Sequence, residues 1–198
     1  MSSGRPRDEA IDRAVETAAL ALFANGGLAA VTFDQVAKRA GVSRTALYRR
    51  WATREALVAS ALEGYRSRAE AGFEDWADRP LREILDIFVD ETVAVFSDPF
   101  ARDLLRQLFA LSDQNVELKR IYWSSIVEPR RKAFSLIIQQ AQDRCEIDRK
   151  LDPELMQDLL GGAISYRLLA HPGDDDHALD AGAYIKAVLR AAGFPVQS

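Results

Sequence analysis

The side chains with the clearest chemistry lie between residues 32 and 54 of this 198-residue chain. A short helix that begins after Ser43 and turns Leu47 and Trp51 inward would leave polar side chains on its outer face. Arginine pairs with guanine in the major groove of DNA, whereas hydroxyl and ammonium groups suit the phosphates. The pattern therefore predicts a DNA-contact set: Thr32, Lys38, Ser43, Arg44, Thr45, Tyr48, Arg49 and Arg54.

Within this set, residue type suggests two kinds of contact. Arg44 or Arg49 is the candidate reader of a guanine base, and Thr45 suits either a base edge or the backbone. Tyr48, Lys38 and Arg54 are candidates for phosphate contacts, which position a protein without reading sequence. Contacts of this second kind contribute affinity rather than specificity.

Two helices and a tight turn must hold these side chains in place. Thr32 can cap the first helix, in which apolar residues recur at the spacing of one buried face: Phe33, Val36, Ala37 and Ala40. Gly41 permits the left-handed backbone that a sharp helix end requires. The elements predict a helix-turn-helix whose second helix enters the major groove. A plain helical hairpin with a solvated charged face is the alternative interpretation.

Arg5 and Arg7 form a separate candidate contact near the N-terminus. Two arginines that flank the rigid Pro6 can lie in a narrow minor groove, where the negative potential is enhanced. The alternative is a frayed terminal segment. We include both arginines in the predicted DNA-contact set.

The charge distribution favours DNA binding at one end of the chain. The formal net charge of the whole chain is −4, yet residues 1–54 hold nine Lys/Arg against five Asp/Glu. No apolar run approaches the length of a membrane span, and the first residues lack the apolar core of a signal peptide. A single cysteine excludes an internal disulfide framework. We expect a cytoplasmic location and no cofactor.

The N-terminal segment resembles the DNA-binding domain of the TetR/AcrR family of repressors. The matching stretches are AALALFANG at 18–26, VTFDQVAKRAG at 31–41 and VSRTALYRRWATREALV at 42–58. The resemblance maps the family's phosphate-clamping tyrosine on Tyr48 and its basic residue at the next helix start on Arg54. It implies a DNA-binding domain at 1–54, with a short N-terminal arm, and a helical ligand-binding and dimerisation domain at 55–198.

The rest of the chain reads as helical throughout, so the predicted fold class is all-α. Apolar spacing and capping residues predict helices from Thr53 to about Ala71, over 80–97 and 98–112, over 152–171 and over 177–192. The longer segment 115–146 contains Pro129, where we expect a kink or break. The predicted architecture is a three-helix helix-turn-helix domain followed by a larger helical domain.

The C-terminal region resembles a group of TetR-type domains that bind small molecules and pair through their last two helices. The matching stretches are IVEPRRKA at 126–133, DPELMQDLL at 152–160 and GGAISYRLL at 161–169, with Cys145 where a glycine is common. Gly161 and Gly162 would permit close helix approach. The last helix offers a further apolar stripe: Leu179, Ala183, Val188, Leu189 and Ala192. We expect a homodimer that matches a palindromic operator; packing of these faces within one subunit is the alternative.

Aromatic side chains on the middle helices predict a site for a small apolar or amphipathic effector, although such residues are also common in cores. The candidate ligand set is Phe88, Phe96, Arg106, Phe109, Tyr122, Trp123 and Phe134. Ligand binding would favour a state that releases the operator.

Two other functions remain open from the sequence. The loop HPGDDDH at 171–177 has imidazole and carboxylate groups that a divalent ion could use, although it also reads as a polar lead into a helix. Metal binding there would suit an enzyme, but we expect neither a metal site nor an enzyme. A DNA-binding protein with a packed C-terminal core and no ligand is the second alternative.

Overall fold

The computed structural model describes residues 5–69, 79–111, 115–170 and 181–196, without the side chains of residues 5–8, 69, 125, 126 and 170. Within these ranges the secondary structure is helical and contains no strand, which confirms the all-α prediction. The helices are α1 Arg5–Ala30, α2 Phe33–Ala40, α3 Arg44–Arg50, α4 Arg54–Ala69, α5 Leu81–Ser97, α6 Pro99–Phe109, α7 Val116–Tyr122, α8 Glu128–Asp143, α9 Pro153–Ala170 and α10 Ala181–Ala191.

The chain divides into two compact units, and their residue ranges differ from those of the two predicted domains. The first comprises residues 1–71 and 103–127, and the second comprises residues 72–102 and 128–198. The division falls inside α6, between Arg102 and Asp103. The domain boundary expected after Arg54 stays a prediction.

The first unit is built around α1. Helices α2 and α4 pack on α1, α3 packs on α2, and α7 packs on α4. The buried core between these helices includes Phe23 of α1, Val36 of α2 and Leu57 of α4, which are all fully buried. The regular part of α1 stops at Gly26 and Gly27, and Gly27 has a φ of 63°. This break lets the chain turn into α2.

The second unit joins α5, α8, α9 and α10. Helix α9 packs on α8 and on α10, and α10 packs on α5, with Ile138, Met156 and Ile185 fully buried. The Glu146 carboxylate accepts a hydrogen bond from the backbone N–H of Leu81, at a distance of 3.2 Å, and so caps the start of α5. The start of α5 is therefore capped by a carboxylate 65 positions away in the sequence, and not by its own N-cap residue, Pro80.

The break expected near Pro129 is confirmed. A π-helical segment, Trp123–Val127, separates α7 from α8, and Pro129 follows as the second residue of α8. Proline lacks the N–H that would continue the preceding hydrogen-bond ladder, so a change of helical register ahead of it relieves the conflict.

Cys145 ends α8 in a conformation that is uncommon for a residue with a side chain. Its φ is 59°, its N–H donates to the carbonyl of Gln142, and the next N–H donates to Ala141. These are the two hydrogen bonds of a Schellman motif, in which glycine usually takes the left-handed position. The helix end is thus retained despite the cysteine.

Candidate nucleic-acid interface

The predicted helix-turn-helix is confirmed in its caps and its turn. The Thr32 hydroxyl accepts from the N–H of Gln35 and the Ser43 hydroxyl accepts from the N–H of Ala46, both at 3.2 Å. Gly41 lies between the two helices with φ 68° and ψ 30°. Each cap satisfies an N–H that a helix start leaves without a partner, so α2 and α3 begin at defined residues.

Helix α3 has one buried face and one exposed face, as predicted. Leu47 is 1% exposed and Trp51, just after the helix, is 9% exposed. The outer face carries the predicted polar residues, all of them exposed: Arg44, Thr45, Tyr48 and Arg49. The exposed helix therefore presents guanidinium and hydroxyl donors together, which is the chemistry that a major groove accepts.

Tyr48 is held against α2 by an aromatic contact that the sequence analysis did not identify. Its ring centroid lies 4.4 Å from that of Phe33, with an interplanar angle of 41°. Phe33 is half-buried, while 57% of Tyr48 remains exposed. The contact restricts the ring and leaves the rest of the side chain accessible.

Carboxylates accompany three of the arginines on or beside α3. Asp34 pairs with Arg44 at 2.5 Å, Arg50 pairs with Asp12, and Glu55 pairs with Arg54 at 3.1 Å. Arg44 and Arg54 were predicted from the sequence as DNA contacts, but their acidic partners were not. Of the partners, only Glu55 is adjacent in sequence, so only that pair carried a local signal.

The charge on Glu55 follows from its hydrogen bonds. Burial alone would raise the pKa of Glu55, but hydrogen bonds from its own backbone N–H and from Arg54 lower it overall. The carboxylate therefore stays ionised beside the Arg54 guanidinium. Thr53, whose hydroxyl accepts from the N–H of Ala56 at 3.1 Å, caps the same helix start, as predicted.

The other predicted DNA contacts occupy two places. Lys38 is exposed in the last turn of α2, where a cation also suits the helix dipole. Arg5 and Arg7 lie in the first turns of α1, and their side chains are outside the described residues. The role of these two arginines in a minor groove stays a prediction.

The predicted ligand residues are distributed over both units. Phe88, Phe96 and Phe134 belong to the second unit, where Phe96 is buried and Phe134 contacts Phe194 edge-to-face at 6.1 Å. The first unit holds the remaining four: Arg106, Phe109, Tyr122 and Trp123. One surface groove lies between Glu9 and Ala40 and another is lined by Asp86, Lys186 and Arg190, and no member of the set is among the described residues that line these two grooves.

The described ranges bear on two other possibilities, a membrane span and a metal site. No helix among these residues is both long and apolar enough to cross a bilayer. Nor do three His, Cys, Asp or Glu side chains of the described segments come together as a candidate metal site. The loop at 171–177, which the metal hypothesis requires, lies outside those segments.

Comparison with known families agrees with the geometry of the first unit. The family described as bacterial regulatory proteins, tetR family, matches residues 17–61. The family described as tetracyclin repressor-like, C-terminal domain, matches residues 78–185. The second match alone covers more than half of the chain.

Two curated relatives extend this similarity over most of the sequence. The uncharacterized HTH-type transcriptional regulator YdeS of Bacillus subtilis (strain 168) is 30% identical over 172 residues, covering 84% of this chain and 82% of that protein. The HTH-type transcriptional regulator AqdR of Rhodococcus erythropolis is 31% identical over 160 residues, covering 80% and 73% respectively.

Solved structures share the fold at lower sequence identity. The transcriptional regulator FadR from Bacillus subtilis, in complex with stearoyl-CoA, has a TM-score of 0.75 at 19% identity and covers 93% of this chain and 98% of its own. SmeT in its triclosan complex has a TM-score of 0.74 at 16% identity, with coverages of 92% and 91%.

Helix α3 follows α2 through a tight turn, is capped at both ends and exposes a cationic face. These features together define a helix-turn-helix DNA-binding protein. The chain belongs to the TetR family of transcriptional regulators. Members of this family regulate transcription and are not enzymes.

Proposed function

We propose that the protein is a repressor which binds a palindromic operator as a homodimer and is released by a small apolar or amphipathic ligand. The observation that carries the proposal is the outer face of α3, where Arg44 and Arg49 stand exposed on a helix fixed by its caps. Such a helix suits direct readout of base edges in the major groove.

We assign each side chain to a base contact or a phosphate contact according to its donor groups. Arg44 and Arg49 read bases, because a guanidinium donates in pairs to guanine. Phosphates receive the remaining contacts, to which Arg5 and Arg7 would add a minor-groove contact. The proposed positioning set is Thr32, Lys38, Ser43, Tyr48 and Arg54, while Thr45 suits either a base edge or the DNA backbone.

The dimer proposal is supported by an apolar stripe on α9. Leu155, Leu159, Tyr166 and Leu169 are exposed by 57%, 50%, 73% and 44%. With Gly162 they recur at intervals of four and three residues, which places them along one side of the helix. A large exposed apolar stripe of this kind favours burial against a second copy over exposure to water.

Gly162 lies in the middle of this stripe with open space around it. Among the described residues, and apart from its own helix backbone and chain neighbours, no atom lies within 4 Å of a Cβ added there or at Gly161. The protomer itself therefore does not require a glycine at position 162. Close approach of a partner helix would explain the residue, because glycine otherwise destabilises a helix by about 1 kcal/mol relative to alanine.

The predicted stripe on the last helix needs correction. Leu189 and Ala192 are 0% and 4% exposed, so they belong to the core of the protomer. Ala183 is exposed and Val188 is partly exposed, while Leu179 lies outside the described residues. The small exposed residues that α10 offers to a dimer are Ala183, Ala187 and Ala191.

The ligand proposal is supported by the chemistry bound by proteins of the same fold. FadR is described with stearoyl-CoA and SmeT with triclosan, and both compounds carry large apolar groups. For this chain we propose an apolar or amphipathic effector contacting some of the aromatic residues and Arg106. The competing function, a DNA-binding protein that responds to no ligand, requires a C-terminal domain packed without a cavity.

One experiment tests the proposal as a whole. Genomic DNA fragments retained by the purified protein would be sequenced, and the sites mapped by footprinting with and without a panel of fatty acyl and aromatic compounds. We expect protection of an inverted repeat and loss of protection with one class of compound. Binding without a preferred sequence would contradict the operator proposal, and protection unaffected by every compound would favour the ligand-independent function.

A further inference from the structure

We infer that Asp34 is a positioning residue that sets the sequence specificity of Arg44, an inference that rests on the proposed function. Asp34 stands in the first turn of α2, and Arg44 is the first residue of α3. Their side chains meet across the helix-turn-helix, with 2.5 Å between Asp34 Oδ1 and Arg44 Nε.

The geometry of a guanidinium makes this contact compatible with base recognition. The contact uses Nε, which lies on one edge of the planar group. The outer edge, formed by the two terminal amino groups, is a separate pair of donors with the spacing that O6 and N7 of guanine accept. Asp34 can therefore hold the stem and plane of Arg44 while the outer edge faces a base.

Stability alone does not account for the pair. Both side chains are about 60% exposed, at 61% for Arg44 and 60% for Asp34. Ion pairs at such exposure contribute little to folding, because water and salt screen them. A carboxylate on a DNA-binding surface also repels phosphates, so Asp34 lowers affinity for every sequence. An arginine with a fixed orientation offsets that loss through specificity.

The helix dipole offers a competing explanation that the experiment must separate. An acidic residue in the first turn of α2 suits the positive end of that helix without any role in recognition. In that case, removing Asp34 would change thermal stability and overall DNA affinity, but it would not change which base is preferred at one position.

The chain contains a matched control in Glu55. Its carboxylate also contacts the Nε of an arginine, with 3.1 Å to Arg54, and that arginine is assigned to a phosphate. Removing Glu55 deletes the same charge and another ion pair to an arginine Nε. It should raise affinity for all sequences by one common factor.

The test measures binding of wild type, Asp34→Ala, Asp34→Asn and Glu55→Ala to a library covering every single-base change in the operator half-site. We expect Asp34→Ala to bind random DNA more tightly and to lose roughly tenfold of its discrimination at one base pair. Asp34→Asn keeps an oxygen acceptor and should retain part of that discrimination. Arg44→Ala should lose preference at the same base pair.

A double variant completes the test. In an Arg44→Ala background, Asp34→Ala should leave the base preferences unchanged, because the residue acts through Arg44. The inference is overturned if Asp34→Ala strengthens binding to all sequences equally, if Glu55→Ala changes base preference to the same extent, or if Asp34→Ala still alters base preference without Arg44. If the wild type itself prefers no sequence, the proposed function fails and the inference fails with it.

Discussion

The ring of Tyr48 lies against Phe33, with 4.4 Å between the two centroids, so the first helix of the motif holds a side chain of the second. A phosphate contact made by the Tyr48 hydroxyl would benefit, because fewer orientations of the ring would be lost on binding. The arrangement joins the packing of the motif to its affinity for DNA.

Replacing Phe33 with leucine should weaken binding to all DNA sequences by roughly two- to tenfold, the range expected from loss of an aromatic pair. Leucine keeps much of the apolar bulk, so the unfolding midpoint should change little. Titrations on operator and random DNA, with thermal unfolding as the control, would measure both effects. Wild-type affinity in Phe33→Leu would show that the ring contact does not hold Tyr48.

The division between phosphate and base contacts gives a second prediction. Tyr48→Phe and Arg54→Ala should weaken binding about equally on operator and random DNA, because phosphates carry no base information. Arg44→Ala or Arg49→Ala should instead relax preference at one operator position, by about 1–3 kcal/mol. Titrations on operator variants would decide, and a uniform loss in both arginine variants would refute the assignment of base reading.

The features that were predicted from sequence depend on local signals. The caps at Thr32 and Ser43 act over three residues, and the inward position of Leu47 follows from helical spacing. The Asp34–Arg44 pair and the inclusion of residues 103–127 in the first unit depend on how distant segments pack. Local periodicity carries no information about such contacts.

The aromatic residues show the same limit. Phe96 and Trp123 have similar apolar character in sequence, yet Phe96 is 3% exposed and Trp123 is 53% exposed. Helical spacing identifies a face of a helix but does not say whether another helix, a ligand or water covers it. The division of the predicted ligand set between core and surface therefore depends on tertiary packing that the sequence pattern does not reveal.

Gly162→Leu should convert the dimer into folded monomers. The leucine projects from the exposed stripe of α9 and blocks close approach of a partner, while the open space around position 162 tolerates it within the protomer. The substitution should not destabilise α9 within the monomer, because leucine favours a helix more than glycine does. Analytical ultracentrifugation and circular dichroism would report assembly and folding separately.

Gly161→Leu is the matched control for that experiment. Gly161 also has open space around it, but its position around the helix lies off the stripe, near the polar residues Glu154 and Asp158. This variant should sediment like the wild type. A monomeric wild type, or equal dissociation by both variants, would contradict the proposed α9 interface.

Cys145→Gly should raise the free energy of unfolding by about 0.5–1 kcal/mol. The cysteine is exposed and its φ is 59°, so glycine removes backbone strain without deleting a buried contact. Gly41 has the same left-handed role after α2, and no described atom lies within 4 Å of a Cβ added there. Gly41→Ala should therefore lower stability, and denaturant unfolding of both variants would test the pair; a less stable Cys145→Gly protein would refute the argument.

The effector should quench the fluorescence of Trp123 while it lowers affinity for the operator. Trp123, one of three tryptophans in the chain, is exposed in the π-helical segment, whereas Trp51 is buried just after α3, so these two indoles have different access to a ligand. Induction requires that the ligand bind the DNA-incompetent state more tightly, and each tenfold preference corresponds to about 1.4 kcal/mol. A buried apolar group with one or two satisfied polar contacts can supply such a difference.

Two substitutions separate the signal from the binding contact. Trp123→Phe should remove most of the quenching while calorimetry still detects the ligand, and Trp123→Ala should weaken the ligand without changing operator affinity measured in its absence. Trp123 takes no part in the described helix-turn-helix contacts, so a loss of operator affinity in Trp123→Ala would place its effect outside a ligand site. Quenching that persists in Trp123→Phe would assign the ligand to another part of the protein.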